Sequence, residues 1–192
     1  MVSGFLSKLK KAVLLPYNLL RFRKFHYSAT VKCCLIITPR YISISKNVFI
    51  EKNRRIEAVT SYNGVQFHPS IIFEEGASVQ QNLHLTCASQ IIIGKNTAIA
   101  SNVSITDIHH PYEDVIIPIE QQNIITKPVI IDSDSKIYNN SVILPGVHIG
   151  KHCTIGANSV VTHDIPDYSV AVGAPARVIK QYNFETKQWE KK

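Results

Sequence analysis

A spacing of six residues between large aliphatic side chains dominates the second half of the sequence. About a quarter of the chain is Ile, Val or Leu, so six hits in one fixed frame would arise by chance only about once in two thousand. The interval fits neither the 3.6-residue period of a helix face nor the two-residue alternation of a long hairpin. It is typical of a parallel β-helix. In "VIIDSDSKIYNNSVILPGVHIGKHCTIGANSVVTHDIP" the repeated residues are Ile131, Ile137, Ile143, Ile149, Ile155 and Val161.

In such a fold each six-residue rung forms one short side, and three sides close a triangular coil of about 18 residues. Successive coils stack at strand spacing, about 4.8 Å. A second inward register, four positions after each aliphatic residue, holds only small or medium side chains. Gly150 and Gly156 follow the aliphatic residues at bends, where a positive φ or a close backbone approach favours glycine. The second register contains Ser135, Ser141, Val147, Cys153 and Ser159.

The same rhythm recurs earlier and predicts an all-β chain coiled over most of residues 40–166. Its register slips by two between Ile91 and Ile93, and residues 57–71 and 107–127 do not repeat. We interpret both stretches as loops that leave the coil, and insertions on one face of a solenoid are where function is usually built. The predicted organisation is a basic N-terminal segment at 1–39, a β-helix domain at 40–180 and a C-terminal tail at 181–192. The earlier repeats are Ile44, Ile50 and Ile56; Phe73, Val79, Leu85 and Ile91; and Ile93, Ile99 and Ile105.

Basic residues are concentrated at the start of the chain. The net charge is +7, yet residues 1–50 hold nine Lys or Arg and no acidic residue, whereas the rest hold twelve basic and fourteen acidic residues. Such asymmetry suits an anionic surface, either membrane or nucleic acid, and is also found at simple solvated termini. The segment "GFLSKLKKAVLLPYNLLRFRKF" favours the membrane, because apolar residues alternate with lysines at near-helical spacing.

We therefore expect a short amphipathic helix that Pro16 interrupts, peripheral membrane contact through residues 1–26, and no nucleic-acid partner. The apolar runs are far shorter than the ~20 residues that span a bilayer, and no signal-peptide pattern is present. The four cysteines form no zinc or redox pattern, which indicates a reducing compartment. The expected location is the cytoplasm, with contact at the inner membrane face. The residues that carry the helical pattern are Phe5, Leu6, Leu9 and Val13 with Lys8, Lys10 and Lys11.

Three stretches together resemble the hexapeptide-repeat acyltransferases, and most of all the bacterial O-acetyltransferases of surface polysaccharides. They are "NLHLTCASQIIIGKNTAIASNVSITDIHHPYED", the repeat stretch above, and "AVGAPARVIK". The resemblance implies a left-handed β-helix, acetyl-CoA as the acyl donor, a sugar or lipid-linked glycan as acceptor, and a homotrimer with sites between subunits. The left-handed winding is implied by the resemblance alone, since general chirality rules would favour the other hand.

The resemblance also implies that a histidine on the 107–127 loop is the general base. The one directly before proline matches best, which favours His110 over His109. Imidazole suits the task because it titrates near neutrality and can take a proton from an alcohol. Pro111 restricts His110 to extended backbone geometry. Asn82 in "QQNLHL" matches a family asparagine that orients the acceptor, although an asparagine there can equally turn a coil corner.

For the donor, the resemblance points to backbone near Asn139, Ala157 and Thr162 beside the pantetheine arm. It further assigns Arg177 and Lys180 to the phosphates of coenzyme A, and charged donors are strong phosphate partners. One departure is that Lys136-Ile137-Tyr138 stands where the family often has Trp-Ile-Gly.

The predicted reaction is direct transfer of an acetyl group to a sugar hydroxyl in lipopolysaccharide, O-antigen or capsule biosynthesis, with no acyl-enzyme. Relatives also act on small molecules such as serine, amino sugars or xenobiotics, and that alternative remains open. A zinc hydratase like the gamma-type carbonic anhydrases is a second alternative, with His110, His148 and His152 as conceivable ligands. These histidines lack the ligand pattern, so no metal site is expected. A non-catalytic β-helix scaffold is the third alternative.

Overall fold

The computed structural model describes residues 13–32 and 36–192, and the chain winds through six triangular coils. The first three coils contain β1 (Lys24–Phe25), β2 (Thr30–Val31) and β3 (Ile36–Ile37); β4 (Ile42–Ile44), β5 (Phe49–Ile50) and β6 (Arg55–Ala58); and β9 (Ser70–Phe73), β10 (Ser78–Val79) and β11 (His84–Cys87). The next three contain β12 (Gln90–Ile93), β13 (Ala98–Ile99) and β14 (Ser104–Thr106); β17 (Val129–Ile131), β18 (Lys136–Ile137) and β19 (Val142–Ile143); and β20 (His148–Ile149), β21 (Thr154–Ile155) and β22 (Val160–Val161).

Each coil contributes one strand to each of three parallel sheets. Sheet A has the order β1-β4-β9-β12-β17-β20, and sheet C has the order β22-β19-β14-β11-β6-β3. Sheet B begins β2-β5-β10-β13-β18-β21 and continues into three final strands. These are β23 (Ser169–Gly173), β24 (Ala176–Asn183) and β25 (Gln188–Lys191), of which β23 is parallel to β21 and the last two pair antiparallel. The turn between sheet C and sheet A of the next coil is called the C–A corner below.

The aliphatic ladder fills the centre of the prism, as the six-residue spacing predicts. All six residues of the predicted ladder from Ile131 to Val161 are fully buried. The second register is buried too, and its serines are satisfied internally: Ser135 Oγ donates to the carbonyl of Gly150 at 3.0 Å. Burying these aliphatic side chains removes apolar surface from water along the whole axis, at about 25 cal/mol per Å².

The apparent slip between Ile91 and Ile93 has a simple origin. Strand β12 is four residues long, and both isoleucines point inward because side chains alternate along a strand. The neighbouring sheet A strands repeat this pattern with Ile71 and Phe73. The two residues therefore belong to one continuous register of sheet A.

Asparagines turn the corner between sheets B and C. Asn82, Asn102, Asn140 and Asn158 all have φ near +60°, a region that asparagine tolerates better than most residues. Their amides form a ladder in which each Nδ2 donates to the next Oδ1, at 2.9–3.0 Å. Gly150, by contrast, is required by close approach, since a Cβ there would lie 2.3 Å from Asp167 Oδ1.

The β-helix begins earlier than the predicted boundary at residue 40. Lys24–Phe25 and Thr30–Val31 already pair in parallel with β4 and β5, so part of the predicted N-terminal segment is the first coil. Phe25, Val31 and Ile37 are spaced by six, but the next repeat, Ile44, follows after seven residues, so the period is broken at this corner.

A helix precedes the first coil. Residues 13–21 are helical, and Pro16 lies within them, so the expectation that proline interrupts this segment is wrong. The fixed φ of proline is itself compatible with helical backbone. The predicted amphipathic residues from Phe5 to Lys11 lie outside the described residues. No helix in the described ranges has the length and apolar character needed to cross a membrane.

Candidate active site

Two insertions leave the prism at the C–A corner and meet above it. The first is a hairpin of β7 (Ser61–Tyr62) and β8 (Val65–Gln66). The second is the 107–127 loop, which contains β15 (Ile108–His109), a 3₁₀ turn at Ile119–Gln121 and β16 (Ile125–Thr126). The Tyr62 hydroxyl donates to the Glu120 carboxylate at 2.9 Å and lies 2.8 Å from the Glu120 carbonyl oxygen. The hydrogen bond to this carboxylate raises the pKa of Tyr62 above its ordinary value.

A buried carboxylate fixes the start of the 107–127 loop. Asp107 is fully buried and accepts hydrogen bonds from the backbone N–H groups of Ala88, Ser89 and Gln90 at 2.7–2.8 Å. Its Oδ2 also lies 3.3 Å from Cys87 Sγ. Burial and the neighbouring carboxylate raise the pKa of the Cys87 thiol, which keeps it protonated as a donor. The sequence analysis did not single out Asp107.

His110 stands three residues beyond this anchor, against the hairpin. Its ring is 5.5 Å from the Tyr62 ring, centroid to centroid, in an edge-to-face arrangement with an interplanar angle of 80°. His110 Nδ1 is buried and has no hydrogen-bond partner among the described residues. An unpartnered buried nitrogen is costly in a finished structure and points to a site that another molecule completes.

The His110 side chain lines a cavity of about 310 Å³ over the outer face of sheet C. Polar residues line this cavity from coils 3 and 4, and aliphatic residues line it from coil 4, the loop and coil 5. A small number of polar groups in a partly apolar pocket is the usual composition of a ligand site. The cavity is lined by His84, Thr86, Ser104, Ile105, Thr106, Ile108, His110, Val142 and Ile143.

The outer face of sheet C changes character along the prism axis. His84 lies in register with Ser104, and Ser104 with Val142, which is followed by Val160 in the last coil. The face is therefore polar in coils 3 and 4 and aliphatic in coils 5 and 6. The 107–127 loop leaves the prism between these two halves, after β14.

His109 occupies a different environment from His110. Its backbone pairs with Ile125 across the base of the loop, and its ring contacts Tyr112 at 5.9 Å. It does not line the cavity over sheet C. The geometry thus separates the two adjacent histidines in the way that favours His110.

Asn82 is placed at the corner between sheets B and C, in the asparagine ladder. Its Nδ2 donates to Asn102 Oδ1, and Asn82 is not among the residues that line the His110 cavity. His84, two residues later, lies on that cavity instead. Alternation along β11 carries this signal in the sequence, because His84 points outward beside inward Leu85.

The residues predicted for the donor lie at both edges of sheet C and on the final strands. Asn139 and Ala157 occupy equivalent exposed corner positions on successive coils, and the Asn158 N–H donates to the Asn139 carbonyl at 3.0 Å. Thr162 lies at the opposite, C–A corner, where its hydroxyl is 2.7 Å from His163 Nδ1. The structure thus places these residues around the aliphatic half of the sheet C face, not at one point.

Arg177 and Lys180 both lie exposed on β24 but at different distances from that face. Arg177 pairs with Val172, whose side chain approaches Gly156 next to the Ala157 corner. Lys180 pairs with Val170, three residues further along β24, or about 10 Å away. Arg177 therefore lies near the corner at Ala157, while Lys180 lies further across sheet B.

Two other sequence expectations concern the pocket walls and metals. Lys136 Nζ lies 5.5 Å from the centre of the Tyr138 ring, so the two side chains that flank Ile137 lie close to each other. His148 Nε2 is 2.8 Å from Asp132 Oδ2, and His152 stacks on Tyr168. Within the described ranges, no group of three or more His, Cys, Asp or Glu side chains is arranged to hold a metal ion.

Comparisons with known proteins agree with this architecture. Residues 128–163 match the family model described as bacterial transferase hexapeptide (six repeats). The maltose O-acetyltransferase of Clostridium difficile 630 has a structure similar to this chain, with a TM-score of 0.62 and 33% identity, covering 75% of this chain and 72% of that one. The chain therefore belongs to the hexapeptide-repeat acyltransferases, and the left-handed parallel β-helix is confirmed.

Two further similarities concern particular members of this class. The chain is 38% identical over 128 residues to WbbJ of Escherichia coli (strain K12), which bears the name of a lipopolysaccharide biosynthesis O-acetyl transferase. That match covers 63% of this chain and 65% of the relative, slightly less than two thirds of its length. A galactoside acetyltransferase solved in complex with coenzyme A has a TM-score of 0.54 and 26% identity, covering 86% of this chain and 68% of that one.

Proposed function

We propose that this protein transfers an acetyl group from acetyl-CoA to a sugar hydroxyl of a surface polysaccharide or its lipid-linked precursor. The observation that carries the proposal is the position of His110. His110 lines the cavity at the boundary between the polar and aliphatic halves of the sheet C face. Its buried Nδ1 has no hydrogen-bond partner among the described residues. The names of the relatives support both the reaction and the class of acceptor.

The acceptor occupies the polar half of the face. A sugar presents adjacent hydroxyl groups, which match the hydroxyl and imidazole side chains of His84, Thr86 and Ser104. His110 removes the proton from the attacking hydroxyl as the oxygen adds to the thioester carbonyl. Backbone N–H groups stabilise the oxyanion, and its collapse expels the thiolate of coenzyme A.

The donor occupies the aliphatic half. Val142 and Val160 offer an apolar surface to the pantetheine arm, and the small side chain of Ala157 leaves the backbone accessible. Arg177 meets the phosphates of coenzyme A, because its guanidinium can contact two phosphate oxygens at once. Lys180 contributes at longer range. The two cysteines in the described part of the chain, Cys87 and Cys153, do not act as nucleophiles in this proposal, since both are buried and burial raises the pKa of each thiol.

The active form in this proposal is a homotrimer. One chain offers each donor and acceptor only an open face, whereas a second copy can close it. The tip of the 107–127 loop exposes Val115 at 92% and Ile116 at 89%, which is unfavourable for a surface that remains in water. In the trimer this tip packs on the neighbouring prism. The reaction takes place in the cytoplasm, where acetyl-CoA is available.

Mass spectrometry of surface glycan tests the function directly. Cells that carry the gene should produce glycan with the mass increment of one acetyl group per modified repeat unit, and cells that lack it should not. Restoring the gene with His110→Ala should leave the glycan unmodified, whereas His109→Ala should restore it. Identical glycan with and without the gene would remove the polysaccharide assignment.

A further inference from the structure

The outward face of the N-terminal helix is largely apolar and exposed in the described structure, and its one polar atom, the Tyr17 hydroxyl, accepts a hydrogen bond from Arg21 of the same helix at 2.6 Å. Val13, Tyr17 and Leu20 lie three and four residues apart, which places them on one face of helix 13–21. Leu20 is 88% exposed and Val13 is 70% exposed. The opposite face, with Leu15 and Asn18, is the half-buried one. An exposed apolar stripe of this kind usually marks an interaction surface.

Cations surround the end of this helix. Arg21, Arg23, Lys24 and Arg40 form no ion pair with any described acidic residue. The other two described basic residues of residues 13–50 are different, since Lys32 pairs with Glu51 and Lys46 with Glu75. No acidic residue occurs in residues 1–50 at all. The positive charge of this end is therefore available to an external anion.

A cavity of about 610 Å³ joins the helix to the C–A corner. Arg21 of the helix and Pro39 and Arg40 of the corner are among the residues that line it. The Arg23 N–H donates to the carbonyl oxygens of Pro39 and Ile42, both at 3.1 Å, which fixes the end of the helix against the corner. The backbone that carries Arg21 and Arg40 is therefore fixed to the prism.

We infer that this end of the prism docks on an anionic lipid bilayer. Val13, Tyr17 and Leu20 enter the interface between headgroups and acyl chains, and the arginines contact lipid phosphates. An apolar helix face flanked by cations is the composition of helices that lie in a membrane surface. The combination distinguishes the bilayer from nucleic acid, which would use the cations but leave the apolar stripe in water.

The geometry relates this surface to the candidate active site. The cavity at residues 38–41 lies at the C–A corner, and the 107–127 loop leaves the prism at the same corner three coils further along. At about 4.8 Å per coil the separation along the axis is roughly 15 Å. A glycan held by a lipid anchor would therefore reach His110 while its anchor stays in the bilayer.

Vesicle flotation of the full chain tests the inference. The protein should float with vesicles of phosphatidylcholine and phosphatidylglycerol, and much less with phosphatidylcholine alone. Raising the salt concentration should release it, since headgroup attraction decays within a Debye length. Leu20→Glu and Arg40→Glu should each weaken binding by about fivefold or more. The matched control Lys191→Glu, on β25, should float like the wild type.

Specific outcomes would overturn the proposal. Equal binding to both vesicle types, or full binding by Leu20→Glu and Arg40→Glu, would show that the surface does not dock on anionic lipid. A change of oligomeric state in Leu20→Glu, measured by light scattering, would assign the helix face to a second copy of the chain instead. Flotation requires neither donor nor acceptor, so the result stands whether or not the proposed acetyl transfer is found.

Discussion

At the scale of single residues, the proposed mechanism gives Asp107 a positioning role and His110 the role of general base. Asp107 is buried and fixes the loop to the backbone of residues 88–90, while His110 lines a cavity and its buried Nδ1 has no hydrogen-bond partner among the described residues. Only a carboxylate can accept from three N–H groups and a thiol without bringing a donor of its own. The precision of the His110 position thus depends on a residue that touches no substrate.

Replacing His110 by alanine should reduce turnover by about 10²–10⁴-fold, because a positioned base contributes that much to proton transfer. The fold and donor binding should be preserved, since the ring makes no hydrogen bond that the rest of the protein needs. Coenzyme A release measures turnover, and calorimetry measures donor affinity. His109→Ala is the matched control, with turnover near that of the wild type. Near-normal turnover in His110→Ala would rule out the base.

Asp107→Asn should lower the free energy of unfolding by about 3 kcal/mol, because hydrogen bonds to a charged acceptor are worth about 1.5–3 kcal/mol each. The substitution also places an amide donor among backbone donors. Urea unfolding measures the stability. The kcat should fall while the KM for acetyl-CoA changes little, as expected for a residue that positions the loop.

The control is Asp114→Asn on the same loop, where the carboxylate is exposed and accepts from Ile116 and Ile117. Its stability should lie within about 0.5 kcal/mol of the wild type. Equal stability of the Asp107 and Asp114 variants would contradict the anchoring role.

At the scale of elements, the two insertions act as one unit. The β7–β8 hairpin follows coil 2 and the 107–127 loop follows coil 4, yet Tyr62 and Asn63 bind the backbone of the loop. The Tyr62 ring also supports the His110 ring. The hairpin therefore supports the 107–127 loop.

Tyr62→Phe should keep the ring contact but remove the hydrogen bonds to Glu120, which lowers turnover by about two- to tenfold. Because the folded pKa of Tyr62 is raised, the contact is fully present below pH 10 and is lost only as the pH rises through that raised pKa. Absorbance titration of the phenol, with Glu120→Gln for comparison, measures the shift. A Tyr62 pKa that does not fall in Glu120→Gln would contradict the assigned cause.

The sequence predicts the elements that depend on local periodicity and misses those that depend on distant contacts. The ladder from Ile131 to Val161 and both loops follow from spacing alone. Asp107 could not be identified in this way, because its partners at 88–90 lie nearly twenty residues earlier and are backbone groups. Coil 1 was missed because the spacing from Ile37 to the next repeat, Ile44, is seven residues and not six. The sequence allowed two roles for Asn82, orienting the acceptor or turning a coil corner. The hydrogen-bonded ladder that it forms with Asn102, Asn140 and Asn158 supports the corner role.

At the scale of the whole molecule, the proposed binding surfaces follow one another along the axis of the prism. The basic and apolar end faces the bilayer, the middle coils hold the acceptor beneath His110, and the last coils with β24 hold the donor. In the proposed trimer, the exposed aliphatic tip of the 107–127 loop contacts a neighbouring subunit. A lipid-linked acceptor and a water-soluble donor thus approach the transfer site from opposite ends.

Ile116→Glu should disrupt the trimer, because it places a carboxylate in an apolar contact between subunits. Light scattering should give the mass of a monomer for this variant and of three chains for the wild type. Leu20→Glu, at the membrane end, should remain trimeric. A wild-type protein that is monomeric at assay concentrations would contradict the trimer.

A crystal structure of the protein with coenzyme A tests the central claim most directly. The account predicts the pantetheine arm along Val142 and Val160, the thiol beneath the 107–127 loop beside the His110 ring, and the phosphates near Arg177. Coenzyme A bound elsewhere, with its thiol remote from His110, would contradict it.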